Sequence, residues 1–393
     1  MTAEIQPALA VFRIAAIVVG AGLAGAVLIS ALETVVLPRD GFTRIARVTF
    51  AVVNRILVRR WRSPTRSENL RGLYGPVALV SLPLVWMLSV IGSFTLIFWG
   101  MGAGTWQRSF EISGSSVTTL GFAAPSGSLR TWLAFVEAVI GLGLVALLIS
   151  YLPTIYSAHH DRENGIRTLR PFAGTPASPM DLVVNLRRYE VIGRDTMWES
   201  ATRWLLNLDQ NHCAFPALSY FPESTRGQSW VASVGALLDA AGLLVCAAPV
   251  DLATGNLGDG QGPLMVLAHG VPGIVRIGRA AGLPIDPPGT LTDMLQRSAG
   301  ETTGDLSITR EEFDAAYGRL TEGAAGPVVG ADEAWARFRT LRSSYDRALR
   351  GLAGLTAAAP APWTTDRPAA VGRPRLLTAR PVRVDWSLPA VPA

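Results

Sequence analysis

Apolar and polar positions divide the chain into two regimes. Residues 14–32 carry no charge over 19 positions, residues 72–107 none over 36, and residues 138–158 none over 21. A bilayer core takes about 20 consecutive apolar residues in helical form. Each run therefore predicts a transmembrane helix. The most apolar part of the second is 74–99, and the third helix is expected to begin near Trp132. The first run is preceded by Glu4 and little positive charge, and it is too long for a cleaved signal peptide, so a retained anchor is expected. After residue 181 the pattern becomes that of soluble helices. Residues 196–208, 229–247, 263–281, 310–320 and 332–355 are the predicted elements, and strand alternation is scarce. Residues 229–247 are apolar enough to imitate a fourth span, but Asp239 interrupts them and few arginines flank them, so they predict a core helix.

Charge adds an orientation. The chain has no lysine, so its 35 strong bases are all arginine. Nine of them (Arg39, Arg44, Arg47, Arg55, Arg59, Arg60, Arg62, Arg66 and Arg71) lie between the first and second runs, against Asp40 and Glu68. By the positive-inside rule this connection faces the cytoplasm. The segment between the second and third runs holds only Arg108 and Arg130, which places it outside, and Arg162, Arg167 and Arg170 return the chain inside. The expected topology in the cell membrane is N-terminus outside, three spans and a cytoplasmic C-terminal domain. Within the basic connection, residues 42–62 alternate Ile45, Val48, Val52, Ile56 and Leu57 with arginines at helical spacing. That pattern predicts a surface helix on an anionic inner leaflet.

Composition changes the picture little. A charged fraction of 17% and a mean hydropathy of +0.30 fit a membrane region joined to a soluble one. The net charge of +5 is explained by topology and does not imply nucleic acid. Cys213 and Cys246 have no metal-ligand spacing and make no disulfide framework. The expected organisation is an anchor at 1–37, a basic segment at 38–72, a membrane module at 73–158, a linker at 159–181, a helical domain at 182–356 and a flexible Pro/Ala-rich tail at 357–393.

The most informative stretch lies between the second and third runs. Residues 106–117 suit a short helix that enters the membrane without crossing it, and Thr118, Thr119, Leu120, Gly121, Phe122 and Ala123 follow. Non-helical backbone at membrane depth is tolerated only where protein or a water-filled cavity shelters it. A threonine followed by exposed carbonyls offers stacked oxygen rings to a dehydrated cation. One chain supplies one segment of each ring, so several copies would surround the pore.

The string TTLGFAAP, from Thr118 to Pro125, resembles the TTVGYGD-type filter of potassium channels. The helix that follows is similar to the inner helix of bacterial two-span members, including a Glu four residues before a Gly. The resemblance covers about residues 74–156. It implies an all-α membrane protein with three transmembrane helices, a re-entrant pore helix and a filter, followed by a helical soluble domain. It further implies a homotetramer that conducts K+, and by extension Na+, with no other cofactor or metal. Thr119, Leu120, Gly121 and Phe122 would offer the filter carbonyls, and the Thr119 hydroxyl the innermost site. Gly141 or Gly143 would be the inner-helix hinge. The family's second filter glycine is Ala123 here and its aspartate is Ala124. A left-handed backbone at an L-residue costs about 1–2 kcal/mol, so weak potassium selectivity is expected.

Other residues keep two readings each. Glu137 lines the pore or supports the filter, or else reaches water near the outer interface. The two glycines are hinges or close-packing residues. His159 and His160 sit at the membrane exit as pH sensors or as solvated side chains. Asn211, His212 and Cys213 lack the partner spacing that catalysis requires, so the chain is not expected to be an enzyme. Glu301, Thr303, Asp305 and Glu312 match a calcium-loop register in part, but Leu306 replaces the required glycine. Thr309 with Glu312 predicts a capping box instead. The alternative to a channel is a non-conducting pore-like protein whose cytoplasmic domain binds a partner or senses a signal.

Overall fold

The computed structural model describes residues 5–35, 45, 48, 49, 52, 53, 64–189, 195–215, 218, 219, 221, 223, 227–248, 261–287, 289, 290, 306–322, 329–371, 384 and 385. The chain divides into two compact units, Met1–Tyr156 and Ser157–Ala393. Among the described residues it is built of helices, with one two-stranded antiparallel ribbon as an exception to the expected all-α class. Among the described residues, four helices are long and apolar enough to cross a membrane.

The first unit contains α1 (Ile5–Val35), α2 (Pro64–Gly100), α3 (Trp106–Val117) and most of the apolar part of α4 (Ser128–Ala173). α1 and α2 approach closely because small residues meet carbonyls. A Cβ on Gly20 would sit 2.6 Å from the Ser93 carbonyl oxygen, and one on Gly100 would sit 2.6 Å from that of Arg13. Such glycine-lined contact is how apolar helices associate where no hydrophobic effect drives them together. Leu82, Trp86, Val90, Phe94 and Phe98 are buried on α2, whereas Leu84 and Leu88 are exposed. α3 starts at Thr105, whose hydroxyl accepts from the Arg108 N–H. Of the basic surface helix expected at 42–62, only residues 45, 48, 49, 52 and 53 are described, and they are helical.

The second unit packs α5 (Pro179–Arg188), α6 (Asp195–Ala214), α7 (Trp230–Ala247), α8 (Gln261–Ala280), α9 (Arg310–Thr321), α10 (Ala331–Ser343) and α11 (Asp346–Thr356). α7 is buried along nearly its whole length and forms the centre of the core. Asp239, on α7, meets Arg342 of α10 with its Oδ1 3.1 Å from Nε. The capping box at Thr309 and Glu312 forms as expected.

Four boundaries differ from expectation. Residues 159–181 are mostly helix rather than linker, because α4 continues to Ala173 and buries Ile166, Leu169 and Ala173 on one side. α5 follows at once, with Ser178 accepting from the Asp181 N–H and Pro179 opening the helix. The single helix expected at 332–355 is two. The hydroxyls of Ser343 and Ser344 donate to the carbonyls of Thr340 and Leu341, which offers the backbone an alternative to continuing the helix. The first part of the 357–393 tail is packed, with Thr364 and Thr365 buried and β1 (Ala370–Val371) paired to β2 (Val384–Asp385). The calcium-loop positions 301–305 lie outside the described residues.

Candidate functional site

The TTLGFA segment leaves the C-terminus of α3 and is fastened to that helix by one residue. Ser115 sits buried on α3. Its carbonyl oxygen accepts from the N–H of Leu120 at 3.0 Å and from that of Gly121 at 3.3 Å. Its hydroxyl oxygen accepts from the N–H of Ala123 at 3.0 Å. The N–H and C=O of a trans peptide point in opposite directions. Three N–H groups turned toward Ser115 therefore turn three carbonyls away from α3: those of Thr119, Leu120 and Phe122. Among the described residues no hydrogen bond engages these oxygens.

Backbone handedness produces this arrangement. Thr119 has φ 58° and Gly121 has φ 73°, with Leu120 between them outside the left-handed region. Alternating hand brings successive N–H groups to one side of the chain. Gly121 adopts its conformation freely, while Thr119 is held there at about 1–2 kcal/mol. Ala123, expected to carry that cost, has no positive φ and is buried with its N–H bonded. The strain falls on Thr119 instead, a non-glycine residue in a sparsely populated region at a candidate site.

The Thr118 hydroxyl is occupied, donating to the Gly114 carbonyl at 2.5 Å. Thr118, Thr119 and Gly121 are exposed, and Leu120 and Phe122 expose 70% and 67% of their surface. Two large apolar side chains thus stand exposed beside carbonyls that no hydrogen bond among the described residues engages. At the far end of the segment, Arg108 donates to the Ala124 carbonyl at 3.4 Å and pairs with Glu111 at 3.3 Å. Arg130 donates to the Met101 carbonyl at 2.7 Å, past the end of α2.

Behind the segment, α2, α3 and α4 converge. The Ser113 hydroxyl oxygen lies 3.0 Å from the Ile91 carbonyl oxygen of α2 and is hydrogen-bonded to Glu137 Oε1 of α4. Glu137 is fully buried, so it neither reaches water nor lines an open surface in one copy. Gly141, one turn further along α4, packs directly against α3: a Cβ there would lie 2.1 Å from the Val117 carbonyl oxygen at the end of that helix. Gly141 is thus a close-packing residue. Gly143 faces open space, and α4 runs unbroken through both.

Sequence reasoning selected Thr118 to Ala123, Glu137 and Gly141, and the fold brings them together around α3. It missed Ser113 and Ser115. Their signal was weak: in a short helix containing Ser109, Ser113, Ser115 and Ser116, serine reads as polar surface. The clue available was that a short helix with four serines, expected to enter the membrane beside apolar helices, must find partners for their hydroxyls. In the second unit, His212 and Cys213 make contacts with their own helix and with α7. The His212 ring lies 4.6 Å from the Trp230 ring and bonds the Leu208 carbonyl, and Cys213 donates to Asp209. Among the described residues no group of acidic, His or Cys side chains could hold a metal ion. No family model, curated protein or solved structure matches the chain.

Proposed function

We propose that the protein is a cation channel of the potassium-channel type, in which several copies, four by the family resemblance, surround one pore. The observation that carries this reading is the set of carbonyls on Thr119, Leu120 and Phe122, turned from α3 by the anchoring of their peptides to Ser115. Rings of such oxygens replace the hydration shell of a monovalent cation, K+ or Na+. Leu120 and Phe122 pack against neighbouring copies, which accounts for their exposure in one. α1, α2 and α4 span the cell membrane, α3 is the re-entrant pore helix, and the Ser157–Ala393 unit lies in the cytoplasm. α7 serves as the core of that unit, consistent with its burial. Gly143 is the position at which α4 can flex, since Gly141 is packed.

Three aligned carbonyls per copy offer fewer ordered rings than a full filter, so the pore passes K+ and Na+ with weak preference. Purified protein in planar bilayers tests the reading. Cation current is expected, with a reversal potential in mixed Na+ and K+ close to that of a poorly selective pore. Gly121→Ala is expected to abolish it, because an L-residue at φ 73° costs about 1–2 kcal/mol in every copy. Absence of current across voltage and pH would favour the non-conducting alternative. Orientation is tested separately. A cysteine at Ser126 should react with membrane-impermeant thiol reagents on intact cells, and one at Ser67 should not.

A further inference from the structure

Three oxygens stand in a row where α2, α3 and α4 meet: the Ile91 carbonyl, the Ser113 hydroxyl and Glu137 Oε1. Both gaps are of hydrogen-bond length, so the row needs two protons. The Ser113 hydroxyl supplies one. Ile91 has a carbonyl only, already shared with the Thr95 hydroxyl at 2.7 Å, and cannot supply another. The second proton must come from Glu137. An independent observation agrees. Glu137 Oε2 is buried without a hydrogen-bond partner, and no ion pair among the described residues includes this side chain. An ionised carboxylate would leave half its charge with no donor, at a cost far above that of a neutral carbonyl. The nearest charged side chains on the same helices are engaged elsewhere: Arg108 and Glu111 of α3 with each other, and Arg130 of α4 with the Met101 carbonyl. The described part of α2 beyond residue 72 carries no charge.

We propose that Glu137 is a neutral carboxylic acid whose proton is donated to Ser113, which in turn donates to the Ile91 carbonyl, making Glu137 a positioning residue that ties three helices behind the TTLGFA segment. Ser113 lies two residues from Ser115, which holds the segment's amides. The tie therefore fixes the register of α3 on which the presented carbonyls depend. Its consequence for conduction rests on the pore reading. The protonation state does not, and it is measurable whether or not the protein conducts.

Infrared difference spectroscopy on the full-length protein in detergent at pH 7 tests it. The wild type minus Glu137→Gln spectrum is expected to show one protonated-carboxyl C=O band. Ser113→Ala should shift that band, since its hydrogen bond is lost. Labelling glutamates with ¹³C should move it in the wild type, which keeps the test valid if a variant fails to fold. Glu137→Gln should also retain the wild-type melting temperature, because an amide N–H can donate to Ser113, whereas Glu137→Ala should lower it by several degrees. If no ¹³C-glutamate-sensitive protonated band is present, or if the band ignores Ser113→Ala, the proposal is overturned. If the band is present and no current is seen, the proposal stands and the channel reading fails.

Discussion

Glu137 and Asp239 are both fully buried carboxyls, and the two units hold them in opposite ways. Asp239 is met by charge. Arg342 reaches it with Nε at 3.1 Å, the Tyr345 hydroxyl donates to it at 2.7 Å, and Arg342 extends to Asp346 at 3.4 Å. Glu137 is met by a serine and, among the described residues, by no cation. The surroundings explain the contrast. The second unit buries its apolar residues and exposes few large ones, the distribution of a protein folded in water. There an arginine enters the core together with its partners, and the desolvation of both is offset by their attraction. On α2 and α4 many of the exposed residues are Leu, Ile, Val, Phe and Trp. A helix that must enter hydrocarbon carries a neutral donor more cheaply than a full charge. Among the described residues, buried polarity in the first unit is thus hydroxylic apart from Glu137, whereas the second unit buries ion pairs as well as hydroxyls.

The contrast can be broken most strongly at Asp239. Asp239→Ala leaves Arg342 buried with its closest anion gone, and the second unit should lose about 3–5 kcal/mol. Hydrogen exchange of the full chain should then rise across α7, α10 and α11 and stay unchanged in α2 and α3. The reverse experiment is Gly141→Ala. Its methyl would meet the Val117 carbonyl, and overpacking of this kind costs about 1–3 kcal/mol. Exchange should increase in α3 and the following segment while the second unit keeps its protection. Equal loosening of both units by either variant would erase the distinction.

A pH titration sharpens it. Burial is the main cause that lowers the pKa of His212 to about 3, from an ordinary value of 6.5, and the Arg162 charge acts the same way. Between those values the unfolded chain binds the proton and the folded chain does not, so stability falls as pH drops through the window. By pH 5 His212 alone should remove about 2 kcal/mol from the second unit relative to neutral pH. Comparing wild type with His212→Phe, whose ring can keep the contact with Trp230, isolates this contribution. Indistinguishable pH profiles would show that the imidazole is not held neutral. The smallest effect is expected at the capping box. Thr309→Ala should cost about 1 kcal/mol and fray only the first turn of α9, seen as faster exchange at residues 310–313.

The spans were legible because an uncharged run of membrane length has few other physical meanings, and the six residues from Thr118 to Ala123 were legible as a string. Their support was not. Ser115 acts through its carbonyl as much as through its hydroxyl, and a backbone atom leaves no mark on residue identity. The extension of α4 past Tyr156 was hidden because its buried side mixes Ala158, Ile166, Leu169 and Ala173 with the charged Arg162 and Glu163, and so shows no apolar stripe. Gly174 and Pro176 nearby read as punctuation for the whole stretch. The break between α10 and α11 depends on which way two serine hydroxyls turn. Thr119 was missed as the strained position because strain follows from the path the chain takes, and Ala123 drew attention only by departing from the family string.

The anchoring of the Leu120 and Gly121 amides has one more consequence. Each peptide plane between Thr119 and Gly121 is a crank with an oxygen on one arm and a hydrogen on the other. Rotating such a plane by half a turn would carry its N–H to the place its oxygen now holds, and a negative lining would become a positive one with no side chain displaced. The bond to the Ser115 carbonyl is what holds each crank in its present setting. In the proposed pore, the polarity felt by a passing ion is therefore set by two hydrogen bonds of about 3 Å to a single backbone oxygen.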